Sequence, residues 1–370
     1  MRIGFEAKRL FNNRTGLGNY SRGLVSALGE FYPEHQYYLY TSKFDKGIDF
    51  PLGKNMAVHS PTGIDKLFGS WWRSTKLGGV AKGDKLDIFH GLSHELPRDI
   101  EKAGLKSVVT VHDLIHIKFP EQFHPIDRKI YDAKVRHACQ AANLIIAISE
   151  QTKQDLVELY HLQEEKIAVV YQHCQDIFMQ QVPEEKLAEV SSQYQLPSRY
   201  LLYVGALNER KNLLNLIKAF ELVQEPDLHL LLVGSGSGYQ QLLAKYIRER
   251  PLKQVRIISG VPTVDLPALY KMAEIFVYPS LYEGFGLPII EAQYCGTPVI
   301  TTQGGCFEEA GGNAALYLPT HVPEVLAEGI SSLLTDTDLR YQMHLAGMMN
   351  AYRFRPEVSA RQMMEQYLRL

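Results

Sequence analysis

The sequence predicts an α/β protein built from two parallel-sheet domains in tandem. Three observations carry that prediction. Short apolar runs recur along all 370 residues, and each is followed by a helical pattern. The runs are nearly continuous rather than alternating, which suits strands buried on both faces beneath two helix layers. A polar stretch interrupts the alternation near the middle of a chain too long for one ordinary core.

The first series of runs is RIGFEA from Arg2, QYYLYT from Gln36, DIFHG from Asp87, KSVVTVHD from Lys106, NLIIAIS from Asn143 and KIAVVYQ from Lys166. From Pro183 to Arg199 the chain is polar, PEEKLAEVSSQYQLPSR, and reads as a linker carrying a short helix. The second series is RYLLYVG from Arg199, LHLLLVG from Leu228, QVRIISG from Gln254, EIFVYPS from Glu274, TPVITT from Thr297 and ALYLP from Ala315. The expected domains are therefore 1–185 and 186–355. The tail PEVSARQMMEQYLRL, residues 356–370, is one amphipathic helix whose apolar face can return to the first domain. In sheets of this kind ligands bind at the carboxyl ends of the strands, so the two domains are expected to face each other across a cleft.

Composition excludes some functions. The formal net charge is -2, with 45% hydrophobic and 22% charged residues. That is ordinary for a soluble globular protein and lacks the basic excess of a nucleic-acid binder. No run of 18 apolar residues spans a bilayer, and MRIGFEAKRL has no signal-peptide core. Cys139, Cys174, Cys295 and Cys306 show no C-x-x-C spacing and read as reduced thiols. These features point to the cytoplasm.

Five stretches carry candidate chemistry. NRTGLGNYSRGL from Asn13 follows the first strand and opens a helix. Gly16 and Gly18 allow a tight turn and close backbone approach, and a helix N-terminus favours an anion. The dinucleotide fingerprint fails at Ser21, so a plain turn and a phosphate loop both remain open. VTVHDL puts His112 and Asp113 at the mouth of a buried strand, where polar side chains reach ligands. In YVGALNERKN from Tyr203, Arg210 and Lys211 sit at a helix start, against the helix dipole. Either an anion lies between them or they are an exposed basic pair. Gly234, Gly236 and Gly238 end a strand and lead into a helix; they either line the same cleft or form only a flexible turn, and the turn is the default.

The fifth stretch is EGFGLPIIEAQYCGTP from Glu283. Pro288 suits the first turn of a helix, and Gly296 closes it. Gly284, Phe285, Gly286 and Leu287 then offer backbone N–H groups at the helix N-terminus, an anion site by geometry. Glu283 precedes the helix and Glu291 lies within it. They flank the cradle, each able to accept hydrogen bonds from hydroxyls, which a sugar–diphosphate–ribose ligand carries at both ends.

EGFGLPIIEA resembles the E-x7-E signature of retaining glycosyltransferases of the GT-B fold, family 4. VTVHD, the GLG loop and YVGALNERKN follow in the matching order, and the resemblance covers nearly the whole chain. It is similar above all to bacterial polysaccharide and lipopolysaccharide enzymes, many of them mannosyltransferases. The resemblance implies two Rossmann-like domains facing across a cleft, with the C-terminal helix packed back on an acceptor-binding first domain. It implies that Arg210 and Lys211 hold the diphosphate, Glu283 binds donor sugar hydroxyls and Glu291 binds the ribose. His112 would contact the transferred sugar. Gly16 and Gly18 would approach the phosphates and acceptor, while Gly260 and Val261, with Leu266, would receive the base. His112, Asp113, Arg210, Lys211 and Glu283 form the expected catalytic set. Where many relatives carry arginine after the strand-ending glycine, this chain has Ala206.

The implied activity is a retaining, metal-independent hexosyl transfer with no cofactor, the GDP- or UDP-linked sugar being a substrate. GDP-mannose comes first, with UDP-glucose, UDP-GlcNAc and dTDP-rhamnose open, and the acceptor is a glycan or a lipid-linked one. The alternatives are a nucleotide-sugar epimerase of the same fold, a non-catalytic nucleotide-sugar binder, and a glycoside hydrolase using paired carboxylates. A metal-binding D-x-D exists at Asp336-Thr337-Asp338, but its place between two helical patterns marks a helix cap. Trp71 and Trp72, among lysines, offer a contact to the inner face of a membrane or to a lipid-linked acceptor. An ordinary loop with a buried tryptophan is the other reading.

Overall fold

The structure is a computed structural model and describes residues 1–250 and 252–370. Among the described residues the chain divides into two compact units. One is Met1–His173 with Arg355–Leu370, and the other is Cys174–Phe354.

The first unit holds seven strands: β1 Arg2–Glu6, β2 Gln36–Tyr40, β3 Met56–His59, β4 Ile88–Gly91, β5 Lys106–Val111, β6 Leu144–Ala147 and β7 Ile167–Val169. Their order is β3-β2-β1-β4-β5-β6-β7. Every pair is parallel, with Ile3 opposite both Tyr37 and Ile88. The apolar runs anticipate all of these strands except β3. MAVH is a four-residue edge strand with no fully buried side chain, so it lacks the apolar run that marks the others.

Each face of this sheet has its own core. On one, Ile3, Phe5, Tyr37 and Leu39 pack with Leu24, Val25 and Leu28 of the Gly16–Phe31 helix. Ala360, Met363, Met364 and Tyr367 join them from the Pro356–Arg369 helix, at helical spacing that forms one stripe. On the other face, Phe89, Val109, Val111 and Ile145 pack with Val135, Ala138 and Leu156.

The second unit holds β8 Arg199–Val204, β9 Leu228–Val233, β10 Val255–Ile258, β11 Ile275–Tyr278, β12 Val299–Thr302 and β13 Ala315–Leu318. The order is β10-β9-β8-β11-β12-β13, again with parallel pairing. Each sheet reverses its strand order once, beside β1 in the first and between β8 and β11 in the second. Such switch points open a crevice at the carboxyl ends of the strands.

The stretch read as a linker carrying a short helix does form a helix, Glu184–Tyr194, and it belongs to the second unit. Lys186 Nζ lies 2.8 Å from Asp265, and the Tyr194 hydroxyl donates to the same carboxylate at 2.7 Å. Only Val190 of the helix is fully buried, so its docking runs through polar groups that a hydropathy pattern does not register.

Met363 is fully buried in the first core. Met363→Ala is expected to destabilise the chain by about 2–5 kcal/mol, read as a lower urea midpoint. Arg361→Ala, on the exposed side of the same helix, should stay within about 0.5 kcal/mol.

Candidate active site

The second unit gathers its candidate residues where β8 and β11 end. After β8 the chain turns at Gly205, with φ +152°, and a Cβ there would meet the Tyr203 hydroxyl at 2.7 Å. A 3-10 turn, Glu209–Lys211, then carries both cations. Asn212 follows in the left-handed region and donates from Nδ2 to Thr320 O at 2.9 Å, before the Leu213–Leu222 helix begins. Arg210 and Lys211 keep only 9% and 7% of full exposure. They are not an exposed basic pair.

Both cations meet Glu283, itself 9% exposed. Arg210 Nη1 lies 2.8 Å from its carboxylate, and Lys211 Nζ donates to the same oxygen. Lys211 Nζ also donates to the Tyr278 hydroxyl at 2.8 Å. The backbone fixes the pairing, because Leu281 N donates to Arg210 O at 2.9 Å and Arg210 Nη1 donates to Tyr282 O. Burial pushes Glu283 upward, but Lys211 and Arg210 outweigh it and hold the carboxyl below its ordinary range. Burial lowers Lys211, and Glu283 opposes that shift. With Lys211 protonated, the three groups carry a net charge of +1.

The glycine-rich turn comes directly after. Phe285 is buried and packs edge-on against Phe354 at 5.4 Å. Gly286, at φ +129°, leads into the Leu287–Tyr294 helix, which carries Pro288 in its first turn. The helix N-terminus thus starts beside the buried cations, and both features favour an anion.

Glu291 sits in a different environment on that helix. Its partner is the Tyr270 hydroxyl, which donates to Oε2 at 2.9 Å. It keeps partial solvent contact, yet burial of its carboxyl raises it to about 7, with Tyr270 opposing. Tyr270 lies on the Leu266–Met272 helix, one turn beyond Leu266. Gly260 and Val261 follow the end of β10, and Gly260 adopts φ +75° with open space around it. The expected ribose and base residues therefore share one corner of the second unit.

The first unit carries His112, directly after β5. Its Nε2 lies 3.0 Å from Leu92 O. A carbonyl only accepts, so Nε2 bears the hydrogen and Nδ1 is the acceptor. Burial, with His94 nearby, lowers His112 to about 3, so the ring stays neutral. Tyr20, on the Gly16–Phe31 helix, packs edge-on against it at 4.6 Å. A hydrogen-bond chain runs from Tyr20 through Thr110 and His90 to Tyr367, with steps of 3.0, 2.8 and 2.6 Å.

Other expected residues take more local roles. Asp113 Oδ1 accepts from Ile115 N at 3.1 Å at the start of a short helix. Gly18 is required sterically, because a Cβ would lie 1.8 Å from Asn13 O, and its N–H is satisfied by Asn13 Oδ1 at 3.0 Å. Gly16 has open space around it. Gly234 and Gly236 are more than a flexible turn, since Cβ atoms there would lie 1.8 and 2.0 Å from the carbonyls of Gly205 and Leu207. Asp336 caps the Thr337–Ala351 helix by accepting from Leu339 N at 2.8 Å. Sequence reasoning missed Tyr278, Tyr270 and His94. The tyrosines read as core within apolar runs, and their only signal is a hydroxyl near a strand or helix end.

Glu283→Gln would leave two buried cations without their carboxylate, and is expected to cost about 3–5 kcal/mol in stability. Its two cations hold Glu283 below the value of about 4.5 that it has in the unfolded chain. Its stabilisation is therefore complete above that value and is lost as pH falls through the folded one. Thermal melts between neutral and acidic pH should show an acid-sensitive component that the Gln variant lacks.

Comparison with known proteins is consistent along the chain. Residues 188–347 match the family model for glycosyl transferases group 1, and residues 14–172 match that for glycosyltransferase family 4. The O-antigen chain mannosyltransferase B of Escherichia coli is 33% identical over 273 residues, covering 72% of this chain and 70% of that protein. The O-antigen chain mannosyltransferase RfbU of Salmonella typhimurium is 29% identical over 212 residues, 57% of this chain and 56% of that one. Anabaena Alr3699/HepE, solved in complex with UDP and glucose, superposes over 100% of both chains with a TM-score of 0.76 at 19% identity, which establishes a shared fold. With both halves matched to the same class of enzyme and an O-antigen mannosyltransferase related across most of its length, the chain belongs to glycosyltransferase family 4.

Proposed function

We propose that this glycosyltransferase moves a hexose from a nucleotide-diphosphate donor to a glycan or lipid-linked acceptor in cell-surface polysaccharide synthesis. Mannose from GDP-mannose is the first candidate, and transfer proceeds with retention and without a metal. The observation that carries this reading is the buried trio of Arg210, Lys211 and Glu283 beside a helix N-terminus. Two buried cations sharing one carboxylate suit a ligand that arrives as an anion. The names of the two bacterial relatives support mannose.

The chemistry follows from charge. As the glycosidic bond breaks, negative charge grows on the leaving diphosphate. Arg210 and Lys211 are held in place beforehand by Glu283, so they meet such charge without reorganisation. Glu283 is committed to two cations, which makes it a poor nucleophile and a good acceptor for donor-sugar hydroxyls. Retention then proceeds by front-face attack, with a leaving phosphate oxygen taking the acceptor's proton. Neutral His112 offers Nδ1 as an acceptor for a sugar hydroxyl, and Glu291 accepts from the ribose. This reading carries with it a cytoplasmic site of action.

One observation favours a second reading. Glu283 is depressed and Glu291 raised to about 7, and carboxylates driven apart in this way can serve as an acid–base pair for glycoside hydrolysis. The cations on Glu283 and the family membership weigh against it. Cleavage of a plain glycoside without nucleotide would reverse that judgement.

Calorimetry without metal should find one base preferred among GDP-mannose, UDP-glucose and dTDP-rhamnose. Lys211→Ala should weaken that donor by at least about thirtyfold. NMR of the product should show the donor's anomeric configuration, and an inverted product would sink the mechanism.

Affinity should also depend on pH through Glu291. Ribose hydroxyls donate to the ionised carboxylate, so binding favours the charged form of a group that titrates near about 7. A nucleotide sugar has no phosphate that titrates there. Its affinity should rise with pH up to about 7 and level off above, and Glu291→Gln should bind weakly with a flat profile.

A further inference from the structure

We propose that two copies of this chain pair antiparallel through the outward face of the Thr337–Ala351 helix and the turn that follows it. Tyr341, Leu345, Met348 and Tyr352 recur at intervals of four, three and four residues, which makes one stripe along a helix. All four are between 44% and 64% exposed, and Met349 beside them is 76% exposed.

The inner face of the same helix is also apolar or small. Met343, Gly347 and Ala351 are buried. A Cβ on Gly347 would lie 3.2 Å from Gln293 Cγ, on the Leu287–Tyr294 helix. His344 Nδ1 donates to Gly296 O at 2.8 Å, and Asn350 Nδ2 donates to Gln293 Oε1 and Ala310 O, both at 2.8 Å. The helix is thus anchored from within, and its outer face is held in place. A surface helix normally turns polar residues outward, whereas one that is apolar on both faces is covered on both.

Composition and charge select the occupant. Residues 337–354 hold no lysine and no glutamate, but two tyrosines, three methionines and two arginines. That is the make-up of a protein–protein interface. Trp71 in the first unit, 51% exposed beside a Trp72 buried at 3%, stands near Lys66 and Lys76 and is a different kind of surface. The charges of the stripe are sorted by end. Asp336 and Asp338 open the helix and Arg353 follows it, all exposed. Arg340, near the acidic end, is already paired with Glu274 at 2.7 Å. Parallel copies would set like charges together, whereas antiparallel copies set each acidic start against the other's basic end. A two-fold axis requires a self-complementary surface of this kind.

Size and shape agree. Covering the five exposed residues in two copies removes about 1,100 Å² from water before flanking polar groups are counted, and a biological interface needs about 1,000 Å². Met349 also borders a hollow of about 400 Å³, lined with it by Ala346, Asn350, Arg353, Gly312 and Asn313. With the axis between Leu345 and Met348, Tyr341 of the partner subunit comes beside this hollow and can fill it. The pairing uses neither the buried trio nor the donor, so it stands or falls separately from the transferase reading.

The test is the mass of the full chain by light scattering and sedimentation. At about 100 μM the wild type should have twice the mass of one chain, and dilution should dissociate it. Leu345→Asp/Met348→Asp sets like charges against each other across the axis and should raise the dissociation constant by at least about a hundredfold. Its thermal midpoint should match that of the wild type at a dilution where both are monomers, because both positions are exposed. Phe68→Ser/Trp71→Ser, at exposed positions on the first unit, should leave the dimer unchanged. Asp338→Arg alone and Arg353→Asp alone should each weaken it by about tenfold, and the two together should restore it. A monomeric wild type overturns the proposal, whatever else the chain binds. So does a Leu345→Asp/Met348→Asp variant that dimerises like the wild type. A double charge swap that stays weak overturns it too, because antiparallel pairing is what brings the two ends together.

Discussion

Two cations held away from water by one carboxylate are the constraint around which the second unit is arranged. Burying a charge is costly unless it is paired and hydrogen-bonded. Arg210 and Lys211 meet that condition as Glu283 returns to them from a distant part of the chain. The surroundings serve this meeting. β8 and β11 are neighbours in the sheet, so their carboxyl ends bring the two loops together. Leu281 N and the Tyr282 carbonyl tie the loops through the backbone, and the Tyr278 hydroxyl takes part of the lysine's hydrogen-bonding capacity.

The same carboxylate motif shows how environment divides two like groups. Glu283 and Glu291 flank one glycine-rich turn, yet one is stabilised as an anion and the other is not. Both are desolvated by burial, and the difference lies in partners. Glu283 has a guanidinium and an ammonium, while Glu291 has a neutral phenol. A group poised near neutrality reports on whatever hydroxyl-bearing ligand reaches it. A group already ionised stays fixed and holds its cations in position.

Around His112 in the first unit the histidines are neutral. His112, His90 and His94 are all lowered to about 3 by burial, so a cluster that looks basic on paper carries no charge at working pH. Their order comes from hydrogen bonds instead. The chain from Tyr20 through Thr110 and His90 to Tyr367 joins the Gly16–Phe31 helix, two central strands and the last helix of the chain. The C-terminal helix thus contributes a polar link to the core as well as its apolar stripe.

Much of this could be read from the sequence. The continuous apolar runs specify the buried parallel strands, because a strand covered on both faces needs no alternation. The glycines and Pro288 specify the turns, since close backbone approach and a first helical turn impose local demands. The order of the motifs specifies the family. The edge strand β3, with partly exposed residues, and the polar docking of the Glu184–Tyr194 helix left no such local mark. Nor did the sequence decide which of Trp71 and Trp72 faces outward, which tautomer His112 adopts, or that Arg210 and Lys211 are buried. Those depend on groups brought together from far along the chain. Hydrophobic periodicity records what is buried, but the partner of a buried charge is chosen only when the sheet has formed.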